Sequence, residues 1–184
     1  SGNIELKIYN FIKENTKLPE TSFQKNLKKA QKYCEISGTE NVIKMINNCE
    51  KPIIYLGQGC IESYKSLRKY AIKSNIPVTS TIHGCGIFDE SHDLSLQWCG
   101  MHGNPAANYA IQQADCIIAL GSRFDDRTTG NVQKYAPNAF KAYKDEEKYG
   151  GIVHVNIEKS EIGKVVESDY NFNVDCKYFL REAM

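Results

Sequence analysis

The segment with the strongest chemical signal is Arg123-Phe124-Asp125-Asp126-Arg127, which sets two carboxylates between two guanidinium groups. Arginine binds phosphate through paired N–H groups, and carboxylates accept hydrogen bonds from hydroxyls such as those of a ribose. The same residues can also neutralise one another in a surface loop. The segment therefore predicts either a phosphate-binding loop or a self-neutralising loop.

A second candidate is Gly57-Gln58-Gly59, which directly follows a short apolar run. Such glycines let backbone amides and a helix N-terminus approach a phosphate, and they also suit a plain tight turn. A full dinucleotide fingerprint needs a third glycine where this chain has Glu62, and Thr81 ends the next apolar run, where an ordinary NAD site has an acid. The pattern therefore disfavours a standard NAD-dependent dehydrogenase.

The composition argues against several classes of partner. The chain has 23 Lys and Arg against 22 Asp and Glu, a formal net charge of +1, so it has no general attraction to nucleic acid or anionic membranes. No apolar run reaches the roughly 18 residues of a membrane helix. The seven cysteines include no CxxC pair, and the four histidines have no partner at metal-ligand or triad spacing. We expect no nucleic acid, no membrane and no metal for this chain, and structural roles for its histidines.

The elements that position these groups follow from hydrophobic periodicity. Short apolar runs predict strands over 52–56, 77–81, 115–120, 151–157 and 170–174. Helical spacing predicts helices over 39–48, from 64 to about 71, over 105–114 and over 160–166. The alternation predicts an α/β fold, a doubly wound, mostly parallel sheet of five or six strands with helices on both faces.

The remaining segments complete the predicted domain organisation. Residues 1–38 are polar, and we interpret them as an inter-domain linker preceded by a tag remnant at Ser1-Gly2, with the α/β domain over 39–184. Thr39 suits an N-cap. A long loop is expected after the second strand, and the charged stretch 141–148 is expected to be a solvated insertion.

In an open parallel sheet, ligands bind in the crevice at the carboxyl ends of the strands. The residues there are polar or glycine-rich. Beyond the glycine turn after the first strand, these ends carry Thr81-Ile82-His83, Gly121-Ser122-Arg123, Asn156-Ile157 and Asp175-Cys176. Together they offer hydroxyls, a guanidinium and a carboxylate, which suit a phosphate, a ribose and an adenine.

Two long segments resemble the central domain of the catalytic subunit of acetolactate synthase, also called acetohydroxyacid synthase. They are GMHG followed by ANYA within 100–110, and GSRFDDRTTG at 121–130. The similarity extends from about residue 51 to residue 175, and the GN and YAP segments within 130–137 are most similar to fungal-type members. Two long motifs in the right order make the resemblance specific to this family among thiamin diphosphate enzymes.

The resemblance implies a Rossmann-like central domain that binds FAD in an extended form without net redox use. It also implies that flanking domains hold thiamin diphosphate with magnesium and that the complete enzyme condenses two pyruvates, or pyruvate with 2-oxobutyrate, to an acetohydroxyacid and carbon dioxide, for branched-chain amino-acid biosynthesis. Carried over by motif, the FAD-binding residues are Gly57, Gln58, Gly59, Thr81, Ile82, His83, Met101, His102, Ser122, Arg123, Asp125, Arg127, Asn156, Ile157, Asp175 and Cys176. Met101 and Asp126 also match positions of the substrate channel, where herbicidal inhibitors bind.

The chain departs from the family pattern at the adenosine end of this predicted site. Asn156 stands where an acid is usual, and Val174 where a glycine is common, so one ribose or adenine contact is expected to be weakened or replaced. The family's thiamin diphosphate motif, Gly-Asp-Gly followed by paired asparagines, is absent from the 184 residues. We therefore expect a fragment of a three-domain enzyme with no catalytic residues of its own.

The resemblance further implies the flanking domains, a homo-oligomer and a regulatory subunit as partners. It favours a mitochondrial location for a fungal-type protein, or a plastid or the cytoplasm for another lineage.

Two alternative functions stay open. One is the central domain of another thiamin diphosphate carboligase, oxidase or decarboxylase, and the other is a nucleotide-fold domain that has lost its ligand and serves as a structural spacer.

Overall fold

The computed structural model describes residues 38–145 and 149–184. The predicted tag remnant and nearly all of the predicted linker lie outside the described residues. The α-helices are α1 (Thr39–Asn48), α2 (Tyr64–Ser74), α3 (Pro105–Gln113), α4 (Asp126–Thr129), α5 (Pro137–Lys144) and α6 (Cys176–Glu182). The strands are β1 (Pro52–Leu56), β2 (Val78–Ser80), β3 (Ser95–Trp98), β4 (Cys116–Leu120), β5 (Gly151–Val155) and β6 (Tyr170–Phe172). None of the helices in the described ranges combines the length and the apolar character of a membrane span.

The strands form one six-stranded sheet in the order β3-β2-β1-β4-β5-β6. Every neighbouring pair is parallel. The chain winds outward from β1 to β3, returns to the centre at β4 and winds out again, so the direction of winding reverses between β1 and β4. The predicted doubly wound α/β sheet is confirmed, and the reversal opens a crevice at the carboxyl ends of the central strands.

The central strands are buried on both sides because their sequences are almost continuously apolar. Alternate residues point to opposite sides of the sheet, and Ile54 and Ile118 contact helices α1, α2 and α6, on what we call the α2 side. Ile53 and Ile117 contact helices α3 and α5, on the α3 side. Leu56 and Leu120 pair in register, so β1 and β4 end at the same level.

One strand was missed by the sequence analysis. Ser95–Trp98, within the predicted long loop, forms β3 at the edge of the sheet and pairs with β2. Its residues are mostly half-buried, Gln97 has a φ of 62°, and the register shifts along the pair. A short, irregular edge strand of this kind lacks the apolar periodicity by which strands are predicted.

Three other local predictions were wrong. Residues 160–166 form no α-helix: a single 3₁₀ turn at Lys159–Glu161 is followed by Gly163 at a φ of 67°. The predicted insertion at 141–148 begins inside α5, in which Ala142 is buried, and its residues 146–148 lie outside the described residues. Thr39 is the first residue of α1 rather than its cap, because Gly38 occupies the N-cap position.

Candidate functional site: a crevice at the strand ends

A crevice of about 790 Å³ lies at the carboxyl ends of β1, β4 and β5 and at the N-terminus of α6. This volume is within the range of roughly 300–1,000 Å³ that is typical of small-molecule and cofactor sites. Twelve of the sixteen predicted cofactor residues line it: Gly57, Gln58, Gly59, Thr81, His83, Ser122, Arg123, Asp125, Asn156, Ile157, Asp175 and Cys176. Residues far apart in the chain thus meet because parallel strands end at the same edge.

The other predicted site residues lie elsewhere. Met101 and Arg127 line a separate cavity of about 320 Å³ beside α3 and α4. Ile82 is 59% exposed and lines neither cavity, and the same holds for the exposed residues His102 and Asp126. The predicted flavin end of the site is therefore open at the surface of the described residues.

Six lining residues were not among the sixteen predicted cofactor-binding residues: Ile61, Glu62, Gly121, Glu158, Glu161 and Lys177. Gly121 ends β4 directly, so the strand-end argument contained the signal for it. Glu161 and Lys177 come from the turn after β5 and the first turn of α6, several residues beyond the strand ends. Glu161 lies beyond the reach of a strand-end argument, whereas Lys177 directly follows the predicted residue Cys176.

The glycine turn after β1 is explained by backbone packing. A Cβ on Gly57 would lie 2.3 Å from the carbonyl oxygen of Gly121, and a Cβ on Gly59 would lie 2.8 Å from the Cα of Gly121. The Gly57 amide donates to the carbonyl of Leu120 at 2.9 Å, and the Gly59 amide donates to that of Gly121 at 3.1 Å. These two amides are thus already bonded to backbone carbonyls and are not free to donate to a phosphate.

The acids of the Arg-Phe-Asp-Asp-Arg segment bond to backbone amides, and not to its arginines. Asp125 caps α4, because its Oδ1 accepts from the backbone amide and the hydroxyl of Thr128. Asp126 accepts from the amide of Arg127 at 3.0 Å. Both guanidinium groups are exposed, and within 38–145 and 149–184 neither makes an ion pair. The self-neutralising interpretation is not observed, and Arg123 is left facing the crevice.

Phe124 anchors this segment to the α3 side of the sheet. Its φ is 54°, and its side chain is only 1% exposed. Its ring centroid lies 5.2 Å from that of Tyr55, 5.9 Å from that of Tyr135 and 5.1 Å from that of His154. This packing holds the neighbouring residues at the surface, because a buried aromatic ring fixes the backbone on either side of it.

The Gly-Met-His-Gly segment lies directly against the Arg-Phe-Asp-Asp-Arg segment. The amide of Met101 donates to the carbonyl of Arg127 at 2.8 Å. Gly100 has a φ of 115°, and a Cβ there would lie 2.9 Å from the same carbonyl oxygen. Asn108 fixes the turn from α3, since its carboxamide bonds to both the amide and the carbonyl of Gly100. The two motifs that carry the family resemblance therefore form one continuous surface.

The end of β4 is tied to β5 through a single carbonyl. The Ser122 carbonyl accepts from Nδ2 of Asn156 at 2.9 Å and lies 3.0 Å from Nε2 of His154. With Nε2 protonated, Nδ1 of His154 has no partner among the described residues. Burial lowers the pKa of His154, against the hydrogen bond to Ser122. The imidazole is therefore a neutral structural group, as the sequence analysis expected.

Two hydroxyls lining the crevice have no partner among the described residues. They are Oγ1 of Thr81 and Oγ of Ser122, in side chains that are 8% and 2% exposed. Buried hydroxyls normally have a hydrogen-bonding partner, so such atoms in a crevice point to a bound ligand or water.

The crevice is suited to binding rather than to nucleophilic catalysis. A hydrogen bond with Cys60 and burial raise the pKa of the Cys176 thiol well above its usual range, so it stays protonated. Burial likewise raises the pKa of Cys99 to about 11. Across the described ranges, no cluster of His, Cys, Asp and Glu is arranged to hold a metal ion. Arg123, the free hydroxyls and the carboxylates together suit a ligand with phosphate and hydroxyl groups.

Comparison with known proteins is consistent with this geometry. Residues 39–183 match the family described as the central domain of thiamine pyrophosphate enzymes. The chain is 38% identical over 178 residues to the mitochondrial acetolactate synthase catalytic subunit of Saccharomyces cerevisiae, an alignment that covers 95% of this chain and 26% of the yeast protein. It is 46% identical over 154 residues to the mitochondrial catalytic subunit of Aspergillus candidus, covering 82% of this chain and 22% of that protein.

A plant relative gives the same result. The chain is 40% identical over 142 residues to a probable chloroplastic acetolactate synthase of Oryza sativa, covering 77% of this chain and 20% of that protein. The chain thus spans about a quarter or less of the length of these relatives. The chain therefore belongs to the thiamine pyrophosphate enzyme family, as a central domain of the acetolactate synthase type.

Proposed function

We propose that this chain is the FAD-binding central domain of an acetolactate synthase catalytic subunit. The proposal depends most on the crevice, where the exposed guanidinium of Arg123 and the free hydroxyls of Thr81 and Ser122 face one space. The named relatives are all acetolactate synthases, which supports this parent enzyme over another thiamin diphosphate carboligase, oxidase or decarboxylase.

The residues of the crevice fit the parts of FAD. Arg123 and Lys177 are the lining cations, and they would hold the two phosphates. The Ser122 and Thr81 hydroxyls would bond to the phosphates or the ribityl chain, and Asp175 and its acidic neighbours would accept from the ribose. Met101, which is 72% exposed, would cover the flavin end.

The chain's own residues would bind and orient the cofactor rather than move protons or electrons. Asp125 holds Arg123 in place by capping α4, and Asn156 holds Ser122 by bonding to its carbonyl. In the proposed enzyme, thiamin diphosphate with magnesium, held outside these residues, supplies the carbanion chemistry that joins two 2-oxo acids. The proposed parent activity is condensation of two pyruvates, or of pyruvate with 2-oxobutyrate.

The partners and the location follow from the same proposal. The apolar side chains of Ile82 and Met101 are exposed, and flanking domains of the longer polypeptide would cover them. A homo-oligomer, a regulatory subunit, a mitochondrial location and a herbicide-binding channel at Met101 and Asp126 stay predictions.

A ligand-free structural spacer is the second candidate function. The occupied amides of Gly57 and Gly59 favour it, because a phosphate cradle normally leaves such amides free. Five lining carboxylates also oppose the binding of an anion: Glu62, Asp125, Glu158, Glu161 and Asp175.

Titration of the purified chain with FAD separates the two candidates. We expect saturable quenching of flavin fluorescence and a melting temperature that rises with FAD concentration, since a ligand that binds only the folded state stabilises it. Arg123→Ala should weaken FAD binding by about tenfold or more, because it removes a charged partner of a phosphate.

The matched control is Arg181→Ala, which removes an exposed arginine of α6 that is paired with Glu182 and lies outside the crevice. It should leave FAD binding unchanged. Absence of binding by the chain, together with binding by a longer polypeptide that includes the flanking domains, would show that the crevice alone is insufficient. Absence of binding by both would leave the spacer function.

A further inference from the structure

The crevice has an acidic end, which we define as Glu158, Glu161 and Asp175. Glu158 and Glu161 come from the 3₁₀ turn after β5, and Asp175 caps α6. All three line the crevice together with Lys177. Ser122, whose buried hydroxyl has no partner, lines the same space. The acidic end is therefore one wall of the proposed binding site.

Asn156 lies at this end, but its side chain is already used. Its Nδ2 donates to the carbonyl of Ser122 at 2.9 Å, and its Oδ1 accepts from the amide of Glu158 at 2.9 Å. The residue is only 7% exposed. Because both polar atoms bond to backbone, Asn156 positions two loops and is poorly placed to receive a ribose hydroxyl.

Glu161 is the carboxylate best placed to accept a hydrogen bond from a ribose hydroxyl. Its side chain is 19% exposed and lines the crevice, and Oε1 accepts from Lys164 at 3.0 Å. A carboxylate has about four acceptor positions, so one exposed lysine leaves several available. Its charge also acts on His154, whose pKa it raises against the larger effect of burial. Glu161 therefore has acceptor positions available in the same crevice that Ser122 and Asn156 line.

The charges that line the crevice restrict which nucleotides can bind. Among the lining residues that the structure describes, Arg123 and Lys177 are the only lysine or arginine side chains, which matches the two phosphates of a dinucleotide. A further phosphate on the adenosine ribose would face the carboxylates of the acidic end. Repulsion between these like charges opposes binding strongly in a partly buried site.

We propose that Glu161 replaces Asn156 as the acceptor for the adenosine ribose, and that the acidic end makes the crevice selective for nucleotides whose ribose has no phosphate. The proposal rests on the nucleotide-binding function proposed above. It excludes cofactors with a 2′- or 3′-phosphorylated adenosine from this site.

The test uses the 184-residue chain and two probes, ADP and adenosine 2′-phosphate 5′-diphosphate. Each probe is titrated alone by calorimetry and then used to displace FAD. We expect ADP to bind about tenfold or more tightly than its 2′-phosphorylated analogue. Glu161→Gln keeps an acceptor but removes the charge, so it should reduce the ratio of the two affinities by several-fold. Glu161→Ala should in addition weaken the binding of ADP by about tenfold.

Glu167→Ala is the matched control, because Glu167 is an exposed acid of the same loop that does not line the crevice. It should bind both probes as the unmodified chain does. Equal affinity for the two probes, or a Glu161→Ala variant that binds ADP normally, overturns the proposal. Binding of ADP without FAD would overturn only the flavin assignment. Absence of binding by every probe, both to this chain and to a longer polypeptide that includes the flanking domains, would overturn both proposals.

Discussion

The two sides of the sheet are built from different residues. On the α2 side, the central strands and three helices meet through side chains such as Ile54, Ile118 and Leu67, which are completely buried. On the α3 side, the same strands present Tyr55 and His154, which pack around Phe124. The central strands are buried on both sides, but among the described residues the buried imidazole, which can take up a proton, lies on the α3 side.

The difference follows the position of the motifs. Phe124 belongs to the Arg-Phe-Asp-Asp-Arg segment, and the rings of Tyr135 and His154 pack against its ring. On the α3 side, aromatic and polar side chains thus support the loops of the site in place of purely apolar packing. The α2 side has no such role and packs through apolar side chains. We infer that stability is concentrated on the α2 side and that the geometry of the site depends on the α3 side.

The largest expected effect is on the α2 side. Ile118→Ala should lower the free energy of unfolding by about 2–5 kcal/mol, because it removes a fully buried side chain from the central strand and leaves a cavity. Urea unfolding measures this change. Ile72→Ala, at a position on α2 that is 54% exposed, is the control and should stay within about 0.5 kcal/mol. Similar losses at both positions would contradict the large stabilising contribution assigned to the burial of Ile118.

An intermediate effect is expected on the α3 side as the pH falls. Burial lowers the pKa of His154 from its usual value of 6.5, so below that pH the unfolded chain binds a proton that the folded chain does not. The free energy of unfolding should therefore decrease as the pH falls below 6.5. In His154→Gln, this part of the pH dependence should be absent.

His102→Gln is the control for this measurement, because His102 is an exposed histidine. Chemical unfolding is followed at a series of pH values for the three proteins. If the His154→Gln protein retained the slope of the unmodified chain, the buried neutral state assigned to His154 would be wrong.

The smallest effect is expected for Tyr135→Phe. The side chain is 3% exposed, and its hydroxyl has no partner among the described residues, so removing that oxygen relieves a desolvation cost. Stability should rise or stay within about 1 kcal/mol of the original. Tyr143→Phe, at a site that is 49% exposed, provides the comparison. A clear loss at position 135 would indicate an internal water bonded to the hydroxyl.

The sequence predicted the strands in which burial on both sides is the dominant requirement. Strands β1, β4 and β5 are continuous apolar runs, since both sides of a central parallel strand are covered. β3 was missed and the helix at 160–166 was wrong, because an edge strand and a surface turn are shaped by their neighbours more than by their own periodicity. For the candidate site, strand ends led to Arg123 and Asn156, whereas Glu161 lies in a turn that no strand-end argument reaches.

By itself, the sequence determined the parallel α/β sheet, the identity of the buried strands and the two motifs near its carboxyl edge. Only the tertiary structure decided which polar groups remain available there. The Gly57 amide bonds to the carbonyl of Leu120, and Asn156 bonds to that of Ser122, 34 residues away. Such pairs depend on strand register and on how closely two loops approach, which are properties of the packed sheet and not of any local stretch of sequence.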